Sequence, residues 1–189
     1  MSFIDLARNR YSVRKFKDQK VEKEKLDLIL EAARIAPTGC NYQPQRIMVI
    51  DEPELLEKLK GCTNYTFGAP LVLMICYDST TCWKSATNNV MGGYEDACII
   101  TTHMMLEAAD LGLGSTWVGG FDRAKLQEIF NVPKFLMPVA LLPIGYPADE
   151  AHPSHLHEKR YEMAHFVSYN SFEGVEEGKP HPAMFFDKQ

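Results

Sequence analysis

The sequence predicts a mixed fold of the α/β or α+β class, and three observations indicate it. Apolar residues follow the helical period in some segments and form short, strand-length runs in others, and the two kinds of segment alternate along the chain. The chain has 189 residues, 46% of them hydrophobic, which suffices for one substantial core. No internal repeat or long linker divides it.

The first half of the chain contains a short helix, a longer helix, a strand and a further short helix. Apolar residues at helical spacing follow Ser2, which is a suitable N-cap. Residues 21–35 form a predicted amphipathic helix, with apolar side chains on one face. Residues 46–50 are predicted to be a strand. Asp51 is then expected to cap a short helix that has Pro53 in its first turn.

The second half contains the most apolar segments. Residues 69–77 are an uninterrupted apolar run of strand length, which predicts a strand buried on both faces. Residues 94–111 are apolar almost all round, so we expect a central, buried helix. Residues 114–118 and 139–145 are predicted strands, and a helix over 122–130 lies between them.

Composition argues against several classes of protein. A net charge of −5 does not suit a general nucleic-acid surface. No apolar run reaches the ~18–20 residues of a membrane span, and no secretion signal is recognisable at the N-terminus. The five cysteines and the histidines between 152 and 165 do not follow a zinc-binding spacing. We therefore expect a cytoplasmic protein with no metal site and no membrane or nucleic-acid partner.

A basic cluster near the N-terminus is the first candidate for chemistry. In an extended segment alternate side chains point the same way, so Arg10, Ser12 and Arg14 would form one row. Guanidinium groups bind phosphate oxygens in pairs, and a hydroxyl adds a donor. Val13 and Phe16 are expected to anchor the segment. A solvated basic turn is the alternative.

Two further segments are rich in turn-forming residues. Residues 36–44 follow a helix, and Asn41 and Gln43 could face a planar polar ligand, although a connecting loop explains the composition equally well. A predicted strand ends in Gly119 and Gly120 directly before the next helix. Two missing β-carbons let backbone N–H groups approach a ligand closely, and a tight turn is the alternative.

These segments, in this order, resemble the nitroreductase family of flavoproteins. The motifs are Arg10-Tyr-Ser-Val-Arg14, Pro37-Thr-Gly-Cys-Asn41-Tyr-Gln43-Pro44, Leu113-Gly-Ser-Thr-Trp-Val-Gly-Gly-Phe121 and the late Arg160. The resemblance implies an α+β fold with a mostly antiparallel central sheet flanked by helices, in an intertwined homodimer with two FMN sites at the interface. It also implies an FMN-binding domain over 1–165 and a C-terminal tail over 166–189 that packs on the partner subunit.

The resemblance further implies which residues hold FMN. Arg10, Ser12 and Arg14 are implied at the phosphate, the ribityl chain and the N1/O2 edge of the ring, and Arg160 joins them at the phosphate. The backbone of Gly119 and Gly120 is implied along the isoalloxazine, with an N–H near flavin N5. Further contacts from the same subunit are implied for Tyr11, Asn64, Trp117 and Val118. The contacts implied from the partner subunit are Pro37, Thr38, Gly39 and Asn41, with Gln43 supporting their loop.

We therefore expect an FMN-dependent oxidoreductase that uses NADH or NADPH to reduce nitroaromatics, quinones or similar flat acceptors. The flavin supplies the chemistry, no side chain is assigned as catalytic, and the exchange of two substrates at one face predicts ping-pong kinetics. One alternative is a specialised reductive dehalogenase or enoate-type reductase, with a lid over residues 80–93 and substrate contacts from Trp83 and Lys84. The other is an FMN-binding or storage protein without turnover, because many family members carry Glu where Gly119 stands.

Overall fold

The computed structural model describes residues 1–88 and 90–178, which form an antiparallel sheet flanked by α-helices. The strands are β1 (Gln45–Ile50), β2 (Leu71–Asp78), β3 (Gly114–Ser115) and β4 (Leu136–Gly145), in the spatial order β1-β2-β4-β3. The helices are α1 (Phe3–Asn9), α2 (Lys23–Ile35), α3 (Pro53–Leu59), α4 (Gly93–Asp110) and α5 (Arg123–Ile129). All strand pairs are antiparallel, which confirms the predicted α+β class.

Strand β2 lies inside the sheet and separates two hydrophobic clusters. Its odd-numbered apolar residues, among them Leu73, pack in a cluster with buried residues of α2 and α4. Its even-numbered residues, among them Met74, pack in a second cluster with Leu59 of α3 and Leu126 of α5. Because successive strand residues point to opposite faces, a strand covered on both sides must be apolar throughout. This explains the uninterrupted run and confirms the predicted double burial.

Helix α4 is the longest helix of the described chain, and it is buried along one face only. Ala97, Ile100 and Met104 are fully buried against α2 and the sheet. Ile99, by contrast, is 38% exposed, and Thr102 is exposed. Burial all round, which the sequence predicted, is therefore not reached within one chain, because a single layer of elements covers the helix on one side.

Two local predictions differ from the structure. The short helix α3 begins after Glu52 without a side-chain cap, so the predicted cap at Asp51 is wrong, although Pro53 takes the first helical position as expected. The predicted strand over 114–118 forms a regular ladder for two residues only. The next position would face Pro143, whose nitrogen carries no hydrogen to donate. Ser2 and Asp122 cap α1 and α5, respectively, as the sequence predicts.

The chain divides into two compact units, Met1–His157 and Glu158–Gln189. Residues 158–178 of the second unit contain the 3₁₀ turn Met163–His165, and the rings of Tyr161 and His165 stack at 4.1 Å. The predicted tail over 166–189 belongs to this unit, and its residues 179–189 lie outside the described part. Among the described helices, none combines the length and the apolar character needed to cross a bilayer.

Candidate functional site

The basic segment near the N-terminus lies against the C-terminal end of β3. The N–H of Val13 donates to the Ser115 carbonyl at 3.0 Å, and the hydroxyl of Thr116 donates to the Val13 carbonyl at 2.7 Å. A β-carbon on Gly114 would lie 2.4 Å from the side chain of Val13, so only glycine fits there. Val13 is 2% exposed, which confirms that it anchors the segment.

Arg10 and Ser12 are half-buried on this anchored segment, and Arg14 is exposed. Arg10 follows the last residue of α1 and borders a pocket of about 200 Å³ whose lining also includes Tyr11 and Ser115. The hydroxyl of Ser115 is buried and has no hydrogen-bond partner. Arg10 and Ser115 thus bring a guanidinium and an unpartnered hydroxyl to a pocket that is otherwise lined mostly by apolar residues, and these two groups suit an anionic ligand group.

The glycine pair after β3 is held by a turn from elsewhere in the chain. The hydroxyl of Thr63 donates to the Gly120 carbonyl at 2.7 Å and accepts the N–H of Tyr65 at 3.2 Å. Asn64, exposed, lies between these two residues and is thereby placed beside the glycine pair. A β-carbon on Gly119 would meet only the Trp117 indole, at 3.9 Å, so the side chain position of Gly119 is not crowded. The structure thus brings Asn64 and the glycine pair together.

Residues 115–120 connect the neighbourhood of the basic segment to the glycine pair. Ser12 forms a bridge to Ser115, and Val118, three residues further on, bridges to Leu141 of β4. Trp117 is half-buried between them, and the glycine pair follows directly. The predicted phosphate contacts and the predicted ring contacts of a single chain are therefore joined through residues 115–120.

The loop over residues 37–43 has an unusual backbone. Cys40, Asn41 and Gln43 have φ values of 48°, 57° and 51°. Such left-handed conformations cost of order 1–3 kcal/mol for a residue with a β-carbon and persist only where the surroundings impose them. Inside the loop, the N–H of Gln43 donates to the Thr38 hydroxyl at 3.1 Å, and the Gln43 amide donates to the Asn41 carbonyl at 3.3 Å. Gln43 thus supports the loop, while Pro37 and Asn41 are exposed.

This loop rests on the start of α4. The N–H of Gly39 donates to Asp96 Oδ1 at 2.8 Å, and Asp96 is 3% exposed. Trp83 packs on the other side, since a β-carbon on Gly39 would lie 3.2 Å from that of Trp83. Lys84, next to Trp83, is exposed and forms a bridge with Met91. The contact of Asp96 with the loop was missed by the sequence reasoning, although a lone acidic residue on the apolar side of a helix is a detectable signal.

Buried polar atoms without a partner coincide with these segments. Within residues 1–88 and 90–178 they are Gln45 Oε1, Asp96 Oδ2 and Ser115 Oγ. Gln45 directly follows the loop, Asp96 holds it, and Ser115 lines the pocket beside Arg10. Native proteins leave few buried polar groups unsatisfied, and those that remain need an explanation such as a missing ligand. Of these groups the Ser115 hydroxyl can donate, as can the Arg10 guanidinium, so the pocket that these two residues line fits the anionic end of a polar ligand.

The loop and the Arg10 pocket lie at opposite ends of α4. Asp96, in the first turn, binds Gly39, whereas Ala109, in the last turn, lines the pocket. They are thirteen positions apart on the helix, which corresponds to about 20 Å along the axis. Within one chain, the 37–43 loop and the phosphate contacts are thus held apart.

Arg160 belongs to the second unit. It is exposed, and its guanidinium donates to the Lys159 carbonyl at 2.7 Å. Its predicted phosphate contact stays a prediction, as do the ligand contacts of the other residues named from the sequence.

The chain is similar to known proteins over most of its length. The model of the nitroreductase family matches residues 7–63 and 55–146. A protein of Methanothermobacter thermautotrophicus, whose name combines NADH dehydrogenase with NAD(P)H nitroreductase, is 30% identical over 157 residues, 79% of each chain. The FMN reductase (NAD(P)H) of Bacillus subtilis is 30% identical over 158 residues, 74% of this chain and 64% of the relative.

Solved structures agree with the sequence comparisons. A nitroreductase family protein of Clostridium difficile is 41% identical with a TM-score of 0.86, covering 90% of this chain and 99% of its own. An FMN-dependent nitroreductase of the same species is 31% identical with a TM-score of 0.73, covering 89% and 99%. The predicted family is confirmed: the chain belongs to the nitroreductase family.

Proposed function

We propose that the protein is an FMN-dependent oxidoreductase that uses NADH or NADPH as reductant and works as a homodimer with FMN bound at the interface. The proposal depends on two half-sites at opposite ends of α4. One is the 37–43 loop at the start of the helix, and the other is the Arg10 pocket at its end. In the pocket half-site the Ser115 hydroxyl is buried without a partner, and in the loop half-site Asp96 accepts the N–H of Gly39. The names of its relatives, an FMN reductase and an FMN-dependent nitroreductase, support the same cofactor.

A second chain is needed to bring a 37–43 loop next to the Arg10 pocket. The loop and the Arg10 pocket are about 20 Å apart along α4, so one FMN molecule takes its phosphate contacts from one chain and its loop contacts from the other. In a closed two-fold dimer each loop then has an equivalent site to serve. The tail over 166–189 is proposed to pack on that same partner.

The residues of this chain bind and orient the cofactor. Arg10, Ser12 and Arg14 hold the phosphate and the ribityl chain, with Arg160 as a further cation, and the cation nearest the N1/O2 edge favours the reduced, negatively charged ring. The open backbone at Gly119 provides an N–H for the ring edge. Bound FMN supplies a centre that accepts a hydride from the nicotinamide and donates electrons to the acceptor.

The acceptor is proposed to be a nitroaromatic, a quinone or a similar flat molecule. A β-carbon on Gly119 would meet nothing closer than the Trp117 indole at 3.9 Å, so Gly119 is the member of the glycine pair that a planar ring can approach. Lys84, exposed beside Trp83, is proposed as an acceptor contact. Because reductant and acceptor use one face in turn, ping-pong kinetics are expected.

Spectroscopy and steady-state kinetics test the function together. The purified protein should be yellow, release FMN by mass analysis, and bleach when titrated anaerobically with NADH or NADPH. Double-reciprocal plots with 1,4-benzoquinone or nitrobenzene at several NAD(P)H concentrations should give parallel lines. Bound FAD or the absence of flavin would reject the cofactor. A yellow protein that neither nicotinamide bleaches would be a binding protein without turnover, and intersecting lines would reject the ping-pong scheme.

A further inference from the structure

The loop over residues 37–43 combines a strained backbone with hydrogen bonds inside the loop and one to the start of α4. Cys40, Asn41 and Gln43 have positive φ. Inside the loop, the N–H groups of Asn41 and Tyr42 donate to the Thr38 and Gly39 carbonyls, and Gln43 donates to the Thr38 hydroxyl and the Asn41 carbonyl. Relaxing the three residues with positive φ to ordinary backbone angles would release strain of order 1–3 kcal/mol each. A contact from outside the loop therefore adds to these bonds in holding the strained shape.

Asp96 provides this contact. Its Oδ1 accepts the N–H of Gly39 at 2.8 Å, and its Oδ2 is buried without a partner. The side chain lies in the first turn of the 18-residue helix α4, where the helix dipole favours negative charge. A hydrogen bond to a carboxylate is roughly twice as strong as one between neutral groups. The single bond from this buried carboxylate thus fixes the loop to a rigid element.

Two aromatic side chains fix the start of α4 in turn. Trp83 lies between Gly39 and Gly92, since a β-carbon on either glycine would lie 3.2 Å from it. The ring of Tyr77, on β2, lies so close to Gly93 that a β-carbon there would come within 2.2 Å. The carboxylate of Asp96 therefore has little freedom to follow a moving loop.

We propose that Asp96 is a positioning residue for FMN binding: it does not touch the cofactor but holds the 37–43 loop in its binding conformation. The proposal rests on the proposed function, because the loop serves FMN only if FMN binds. A ligand that needs one conformation loses apparent affinity in proportion to the fraction of molecules in that conformation. Without Asp96 the loop leaves its strained shape, and FMN binds more weakly although no contact to it has been removed.

The test compares Asp96→Ala with Asp96→Asn in the full-length protein. Apoprotein is prepared, and the dissociation constant for added FMN is measured by fluorescence quenching. Asp96→Ala should weaken FMN binding about tenfold or more, which corresponds to at least 1.4 kcal/mol. Asp96→Asn keeps an oxygen that can accept the N–H of Gly39 and should stay within a few-fold of wild type.

A matched control is available on the same helix. Thr101 is fully buried and donates to the Ala97 carbonyl, with no contact to the loop. Thr101→Val should change the melting temperature without changing FMN affinity, so a general weakening of α4 is distinguishable from a loss of loop positioning. Wild-type FMN affinity in Asp96→Ala, or equal losses in Asp96→Ala and Thr101→Val, would overturn the proposal.

A second variant keeps the test decisive if Asp96→Ala does not fold. Asp96→Ser keeps a polar side chain at the start of α4, but its hydroxyl is one bond shorter than the carboxylate oxygen and falls short of the N–H of Gly39. It should weaken FMN binding to a similar degree, and unchanged affinity would overturn the role of Asp96. If the wild-type protein itself binds no FMN, the proposed function fails first, and the positioning role fails with it.

Discussion

At the scale of the residue, the proposed phosphate contacts differ in how firmly the chain holds them. Arg10 is half-buried beside the pocket, whereas Arg14 is exposed and makes only a long contact, 3.4 Å, from its guanidinium to the Ser12 carbonyl. A side chain that is already ordered loses less conformational entropy when it binds. The contribution of Arg10 to binding should accordingly exceed that of Arg14.

We expect Arg10→Ala to weaken FMN binding by about 1–3 kcal/mol, the range for hydrogen bonds to charged groups, and Arg14→Ala to weaken it less. Lys15→Ala is the matched control, because Lys15 is an exposed neighbour that pairs with Glu150 at 3.9 Å. It removes the same charge and should leave the affinity unchanged. Calorimetric titration of each apoprotein with FMN measures the affinity of the three variants. Equal losses of affinity in all three would show that only net charge matters.

The cysteines make a separate residue-scale prediction. Burial raises the pKa of the Cys76 thiol to about 11 and also raises that of Cys62, while Cys40 is exposed. Since the thiolate is the reactive form, iodoacetamide at pH 8 should label Cys40 first and Cys76 only after unfolding. Peptide mass mapping over time gives the order. Early labelling of Cys76 in folded protein would contradict its place in the core.

At the scale of the element, the sequence predicts helices and strands well where burial decides them. The run that became β2 must be apolar on both faces, and the period of α2 shows its single buried face. The shortening of β3 depends on Pro143, which meets it only in the folded sheet. Likewise the hydrogen bond from the Gly39 N–H to Asp96 connects residues that are 57 positions apart. Local patterns contain no information on such pairings.

A network at the far end of α4 gives the element-scale prediction. Lys25 of α2 donates to the Leu111 carbonyl at 3.0 Å and to the Tyr146 hydroxyl at 2.8 Å, and Tyr146 donates to Glu22 at 2.8 Å. The network ties the start of α2 to the end of α4 and to the residue after β4. The pKa of Glu22 lies below its usual 4.5, first because of its own backbone N–H and then because of Tyr146.

The sign of the pH effect follows from that lowered pKa. The ionised form of Glu22 is favoured in the folded state, so its contribution is present above pH 4.5 and is lost as the pH falls through the folded-state pKa. Tyr146→Phe should therefore lower the melting temperature at neutral pH, and its difference from wild type should shrink in acid. Thermal melts between pH 3 and 7 measure this, with Glu22→Gln as the control. If the difference in melting temperature between Tyr146→Phe and wild type does not change with pH, Glu22 is not the group responsible for it.

At the scale of the whole molecule, one chain leaves apolar surface uncovered on two elements. Helix α1 contains no buried residue, and its Phe3 and Ile4 are 65% and 54% exposed. On α4, Ile99 is 38% exposed although the helix is apolar almost all round. The family resemblance predicted the homodimer from motifs, but which surface pairs could not be inferred from them. The uncovered side of α4 is the part of the described chain that we expect a second copy to cover.

We therefore expect the protein to be a dimer of twice the 21.4 kDa chain mass, and Ile99→Asp to dissociate it. A carboxylate buried at an apolar interface costs several kcal/mol unless it is paired, so assembly should fail and FMN retention, which needs both chains, should fail with it. Ile129→Asp is a matched control, because Ile129 is 36% exposed on α5, on the opposite side of the sheet. Light scattering and the flavin absorbance of gel-filtered protein measure the two effects together. A dimeric, fully yellow Ile99→Asp variant would move the interface elsewhere, and a monomer that still holds FMN would reject a site shared between two chains.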